Sequence, residues 1–286
     1  MKTCQTLLVI FLFLTVAACS DKNKEMNSEG AISMNIQHTI ENIPFVKDQF
    51  LYTNKAGNMY MISDIQWFMS DIALTKTDGT IVRPDSSQKY IYIDTELPET
   101  SRIEFNHLPA GQYQKISFTF GIDEKHNTSY RFVNPPESYM FWPEYLGGGY
   151  HYMKLNGKWI DQEGLEVPFN FHLGIGQLPV ENRFSSTNFF HFGSVAEYAH
   201  CEGFTPPLAL PDVLTFVQNY FSVSQNISFE VLPDLNTDIV LEMQLNQWFD
   251  ASIVYDHNEW GGSVMQQQEV QEIARENGKS VFVFRR

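Results

Sequence analysis

Ile32, Met34, Ile36, His38 and Ile40 alternate with Ser33, Asn35, Gln37 and Thr39, a period of two sustained over nine residues. Successive side chains of a strand point to opposite faces, so this run predicts a half-buried strand with His38 on its buried side. The alternation returns in Ile116–Phe120 and Ile239–Leu245, and short apolar runs at Tyr90–Ile93, Phe169–Phe171, Ile227–Val231 and Val281–Phe284 read as further strands. Thr77-Asp78-Gly79, Pro109-Ala110-Gly111 and Asn156-Gly157 are turn signals between them. Many short strands with such punctuation predict an all-β chain, a single antiparallel β-sandwich-like domain.

One short C-terminal helix is expected, capped by Ser263, with Val270, Ile273, Ala274 and Asn277 on one face and Gly278 as its stop. Asp64–Leu74 is ambiguous between strand and a helical turn. Gln177–Ser222 has no clean period and holds His191, His200, Cys201, Pro206-Pro207 and Pro211, so it reads as a long insertion. Within it Pro211–Tyr220 suits a short helix with proline in its first turn.

The beginning of the chain is an address. Lys2 precedes the apolar run Leu7–Val16, which leads to Ala17-Ala18-Cys19, a basic start, an apolar stretch and a small-residue exit. The run is too short to span a bilayer and describes a secretory signal over residues 1–18. The cysteine after Val-Ala-Ala looks like a bacterial lipobox with Cys19 as the lipidated first residue. Residues 19–30 would then tether a domain of residues 31–286 to the membrane at the periplasmic or outer surface. Of three cysteines only Cys201 is then left free in the exported chain, so no intramolecular disulfide is expected. The formal charge of −15 sets nucleic acid aside as a partner, because phosphate neutralisation needs a basic surplus.

Ordinary enzyme signatures are absent: no Walker-type Gly-Lys-Ser/Thr, no Rossmann glycine fingerprint, no Gly-x-Ser-x-Gly and no His-Glu-x-x-His. The remaining chemical resource is eight histidines and ten methionines, whose imidazole and thioether groups suit copper better than calcium or magnesium. A lone histidine on an apolar face is more often a hydrogen-bonded core residue than a ligand, and spacing alone leaves the role of His172 open. Tyr139–Tyr150 is the densest aromatic stretch, and its Gly147-Gly148-Gly149 suits a loop packed over a site or an aromatic plug at one end of the sandwich.

Several blocks in order resemble the MbnP-like copper-binding proteins, many of them lipoproteins of Bacteroidetes. Met34–Ile40 with His38 is similar to that family's opening strand. Tyr52-Thr53-Asn54-Lys55-Ala56-Gly57 and Ile65–Ile72 resemble its next blocks, as do Leu108–Tyr113 and Gly121-Ile122-Asp123. Met140-Phe141-Trp142 with Gly149-Tyr150 and Lys154–Gly157, then Phe169–Gly174, and finally Ile273–Phe282 complete the series. The resemblance implies a β-rich envelope protein that binds copper for storage, acquisition or sensing and catalyses no turnover. It makes His38 and His172 the metal-ligand candidates, with Trp142 lining the site or oxidised to kynurenine, Met140 as a soft donor, and a dihaem peroxidase-like partner.

The chain departs from the pattern where a second tryptophan is usual (Glu144), at His151, where an apolar residue is usual, and in the 177–222 insertion. A rival reading is a metal-free surface lipoprotein whose aromatic loop and insertion bind a glycan or a protein. Imidazoles of His38 and His172 that converge would favour copper, and placement on opposite sides of a sheet would favour the rival. A third reading, an enzyme using His200–Cys201, requires a base and an oxyanion donor at that thiol.

Overall fold

The computed structural model describes residues 28–179 and 214–286. The proposed signal, Cys19, His191, His200 and Cys201 lie outside the described residues. The smaller sheet is built on β1 (Glu29–Ile40), which pairs antiparallel with β2 (Ile43–Pro44) and β7 (Arg102–Pro109). It pairs in parallel with β14 (Asn236–Gln244), whose other edge carries β15 (Phe282–Arg285). Among the described strands that parallel pair is the exception, the others pairing antiparallel.

The larger sheet is organised around β4 (Met59–Lys76), a strand of 18 residues. Its first half pairs with β9 (Met153–Ile160) and its second with β8 (Gly111–Phe120). Across its middle lies β6 (Tyr90–Asp94), and the two-residue strands β3 (Tyr52–Thr53) and β5 (Ile81–Val82) pair near its ends. Outside β9 lies β10 (Glu166–Leu173) and outside β8 lies β13 (Phe221–Val231). A separate antiparallel pair joins β11 (Ile175–Pro179) to β12 (Leu214–Gln218). Ile32, Met34 and Ile36 of the smaller sheet and Trp67, Phe118 and Phe120 of the larger belong to one buried cluster, so the sandwich-like all-β reading holds.

One open reading is settled and three local expectations are corrected. Asp64–Leu74 is strand throughout. Its period of two is hidden because Phe68 on the outer side is covered by a second apolar cluster with Tyr92, Ile122, Met140 and Tyr150, so both faces are buried. Leu214–Gln218 is a strand where a helix over Pro211–Tyr220 was expected, because β11 offers it a ladder. Asn156-Gly157 sits inside β9 and makes no turn; a Cβ on Gly157 would fall 2.1 Å from the Met61 carbonyl oxygen, so close strand approach demands the glycine. The C-terminal helix, α3 (Gln268–Gly278), starts after Gln267 and not at Ser263, and two four-residue helices, α1 (Gln247–Asp250) and α2 (His257–Trp260), precede it.

Phe68 marks where the sheet opens. Its N–H donates to the Tyr152 carbonyl (3.0 Å) and its carbonyl accepts from Gly121 N–H (2.8 Å), so β8 ends and β9 begins at one residue of β4. The connection between them, residues 121–152, leaves and returns at that level. Tyr152 N–H in turn donates to the Leu173 carbonyl, which brings the start of the 174–220 connection beside it.

Candidate metal centre

In β10 His172 stands opposite Lys154 of β9, and Lys154 stands opposite Gln66 of β4. Directly opposed residues share a face, so His172 lies on the outer face, while the neighbouring Trp67 points into the core. His172 Nε2 is 2.7 Å from Asn156 Oδ1, and Asn156 Nδ2 donates to Asp64 Oδ1 at 2.9 Å. The Asp64 carboxylate only accepts and so orients the amide, which makes His172 Nε2 the donor and leaves the lone pair on Nδ1.

His151 closes the 121–152 connection. Its ring centroid lies 5.2 Å from that of His172 and 4.6 Å from that of Trp142, both edge-on. Its Nδ1 lies 2.9 Å from the Met140 carbonyl oxygen, which can only accept, so Nδ1 holds the proton and Nε2 the lone pair. The bridge between Phe141 and Tyr150 sets this placement, since it folds the loop back and brings residue 151 beside residue 140. Trp142 is fully buried, donates from Nε1 to the Leu146 carbonyl at 3.0 Å, and lies where a Cβ on Gly174 would meet its ring at 2.6 Å. Met140 is fully buried, with its side chain in the outer apolar cluster, and its carbonyl also accepts from His151 N–H.

Burial holds both imidazoles neutral. It lowers His172 to about 4, helped by the nearby Lys154 charge, and it puts His151 well below the usual histidine range, helped by His172 and Lys154. Burial also lowers Lys154, whose ammonium donates to the Tyr139 carbonyl. Two neutral imidazoles, each with one nitrogen held by an acceptor, form the donor set of this region; the His151 ring also interacts with the Phe141 backbone.

His38 is elsewhere. Its Nε2 accepts from Trp67 Nε1 at 3.1 Å on the inner side of the sheet, and burial lowers it to about 4. The structure therefore does not bring His38 and His172 together; they lie on opposite faces of β4 and its neighbours. His172 and Trp142 both lie against His151, which Met140 meets through its carbonyl while its side chain packs in the outer apolar cluster. Among the described residues no group of three or more His, Cys, Asp or Glu side chains is placed to hold a metal ion.

The MbnP family model matches residues 29–266. The chain belongs to the MbnP family. Among solved structures, MbnP from Methylosinus trichosporium is similar over 79% of each chain at 13% identity, with a TM-score of 0.48. No curated protein matches the chain in sequence. Membership of the MbnP family brings a copper-related role. In this MbnP-family chain, His151 was visible only as a departure from an apolar pattern. The usable signal was the Gly147-Gly148-Gly149 turn, all three at positive φ, which sends residues 149–151 back along Met140–Trp142.

Proposed function

We propose that this protein binds copper between His151 and His172, with Trp142 against the site, and that it stores, acquires or senses the metal without turnover. The observation that carries the reading is the pair itself: two neutral imidazoles 5.2 Å apart by ring centroid, one held by the Met140 carbonyl and the other by the Asn156 side-chain oxygen. Nitrogen donors without a carboxylate suit copper and not calcium or magnesium. The nearby Lys154 ammonium favours the less charged Cu(I), because a second positive charge raises the cost of a doubly charged ion. A metal bound there gains from fixed tautomers, since neither ring has a proton to lose on the ligating nitrogen. The same proposal places the protein in the cell envelope through a lipid on Cys19, with a dihaem peroxidase-like partner acting if Trp142 is oxidised to kynurenine.

The opposite-face placement of His38 and His172 favours a second reading, a metal-free binding module. The loop that carries Trp142 also exposes Tyr130, Tyr139 and Tyr145, side chains able to stack on a sugar or pack on a protein. Elemental analysis of protein from its native envelope, with Cu(I) competition titration and intact mass, separates the two. Retained copper, lost in His151→Ala and His172→Ala, supports the first reading. Absence of copper, with no measurable affinity in the titration, overturns it and leaves the second; an unchanged mass restricts Trp142 to lining the site.

A further inference from the structure

A polar trough of about 680 Å³ lies on the outer face of the larger sheet, away from the histidine pair. Its floor is the hydroxyl row of β8 and β13, where Thr119 stands opposite Ser222 and Ser117 opposite Ser224. Its wall is the segment between β5 and β6, which carries Arg83 and Lys89. That wall is fixed at two points. Asp71 N–H donates to the Lys89 carbonyl at 3.2 Å, and Gln88 Nε2 donates to the Glu104 carbonyl at 2.5 Å.

Asp71 sits in a break of the β4–β8 register between Ser70 and Ala73, with φ +50. A bulge of this kind re-aims a side chain out of the ladder. Here it brings Asp71 near Asp123, and each carboxyl shifts the other, Asp71 upward and Asp123 downward. Burial first, and Asp123 second, raise Asp71, while the Lys89 charge lowers it, so a full negative charge on Asp71 is disfavoured beside the trough. Lys89 Nζ lies 3.1 Å from His126 Nε2, and His126 Nδ1 lies 2.6 Å from Asp123.

Arg83 stands out in a strongly acidic protein. Arg102 pairs with Glu104, Arg285 with Glu242, Arg131 donates to the His126 carbonyl, and Arg275 to the Gln218 carbonyl. Among the described residues Arg83 and Arg286 have no such partner; Asp85, which lines the same trough as Arg83, spends its Oδ1 on Ser87 N–H. The hydroxyls of Thr119 and Ser222 likewise have no partner among the described residues, and Ser117 makes only a 3.5 Å bond to the Ala73 carbonyl. A free guanidinium matches a carboxylate or phosphate with two parallel hydrogen bonds, and rows of free hydroxyls match a hydroxyl-bearing body. The volume falls within the usual range for small-molecule sites.

We propose that this trough is a binding site for a small hydroxylated oxyanion of sugar size, the charged group on Arg83 and the hydroxyls on Thr119 and Ser222. It is independent of the copper reading, because it shares no residue with the histidine pair. Calorimetric titration of the metal-free protein with glucuronate, glucose 6-phosphate and glucose tests it. Saturable binding of either charged sugar, at least about tenfold tighter than glucose, supports it, and the tighter of the two identifies carboxylate or phosphate as the source. Arg83→Gln, on an exposed loop, should remove that tenfold preference with an unchanged melting temperature, and Thr119→Val should weaken charged and neutral sugars alike. No saturable binding of either charged sugar, or a preference that survives Arg83→Gln, overturns it.

Discussion

On the inner side of the larger sheet His38 accepts a hydrogen bond from the Trp67 indole at 3.1 Å; on the outer face His172 donates one to Asn156 at 2.7 Å. Burial lowers both to about 4, so charge does not distinguish them. The direction of one hydrogen bond does. His38 has spent the lone pair of its Nε2 on the core, whereas His172 has spent a proton and kept a lone pair, with His151 beside it in the same state. Two half-buried imidazoles thus differ in the property a metal needs.

The largest expected effect tests that contrast directly. His172→Ala or His151→Ala should weaken copper by more than the ~100-fold that marks the upper range of changes behind a ligand. His38→Gln keeps an acceptor for the Trp67 indole and should leave copper affinity unchanged. Cu(I) competition with a chromophoric chelator measures both. Loss of copper in His38→Gln, with His151→Ala unaffected, would reverse the assignment of the two faces.

Acid comes next. Unfolded histidines protonate near 6.5, while folded His38 and His172 do so near 4 and His257 near 3. These are lowered values, so the stability they contribute is complete above 6.5 and is lost as pH falls through that window toward 4 and 3. At pH 5 the loss is about 2 kcal/mol per histidine, and His151 adds to it in the same direction. Asp64, Asp71 and Asp250, all raised by burial, act in the opposite sense at the acid end. Urea denaturation at a series of pH values from 7 to 4.5 should show a steady fall in midpoint. A flat profile would mean that the folded protein accepts these protons, which no buried neutral imidazole does.

The inner half of this contrast was legible in the residues, and the outer half was not. Alternation over Ile32–Ile40 put His38 on a buried face, and the strand forms there as expected. What it could not reveal is the partner, because Trp67 lies in another sheet and the two residues meet only through packing. For β4 the pattern failed since Phe68 and Trp67 are buried on opposite sides, which erases the period of two. His151 lies outside any strand, and the loop closure that brings it to Trp142 depends on the Phe141–Tyr150 bridge. Local periodicity carries no information about such a contact. The ligand state of His172 was equally hidden, because it rests on a chain from Asp64 through Asn156 that joins three strands.

That chain gives the third test. Asn156→Leu removes the acceptor for His172 Nε2 and frees the ring to turn or to change tautomer, so copper affinity should fall by about 10- to 100-fold. Asp64→Asn leaves Asn156 able to present either side of its amide and should have a smaller effect in the same direction. A change in the copper absorption or X-ray absorption spectrum, beyond a weaker affinity, separates loss of ring orientation from general destabilisation. Equal losses in His38→Gln and Asn156→Leu would remove the distinction between the two faces.

The smallest effect is expected at the fourth buried histidine, and it bears on what the inner side uses histidine for. His257 is fully buried among Tyr60, Trp159, Phe169, Phe249 and Tyr255, and its Nε2 has no hydrogen-bond partner. Its Nδ1 approaches Asn58 Oδ1 only at 3.4 Å and Asn54 Nδ2 at 3.5 Å, both long. The firm tie is its backbone N–H to Asn58 Oδ1 at 2.9 Å, which any residue supplies. Replacing a buried polar atom that has no partner by an apolar group removes a desolvation cost of about 1–3 kcal/mol, while the change of shape costs up to about 1.5 kcal/mol. His257→Leu should therefore hold or raise stability in urea at pH 7, and should flatten the acid profile by one histidine's share. If it destabilises by more than about 2 kcal/mol, His257 Nε2 is satisfied in solution by a bound water, and the inner side then keeps this histidine for a polar contact.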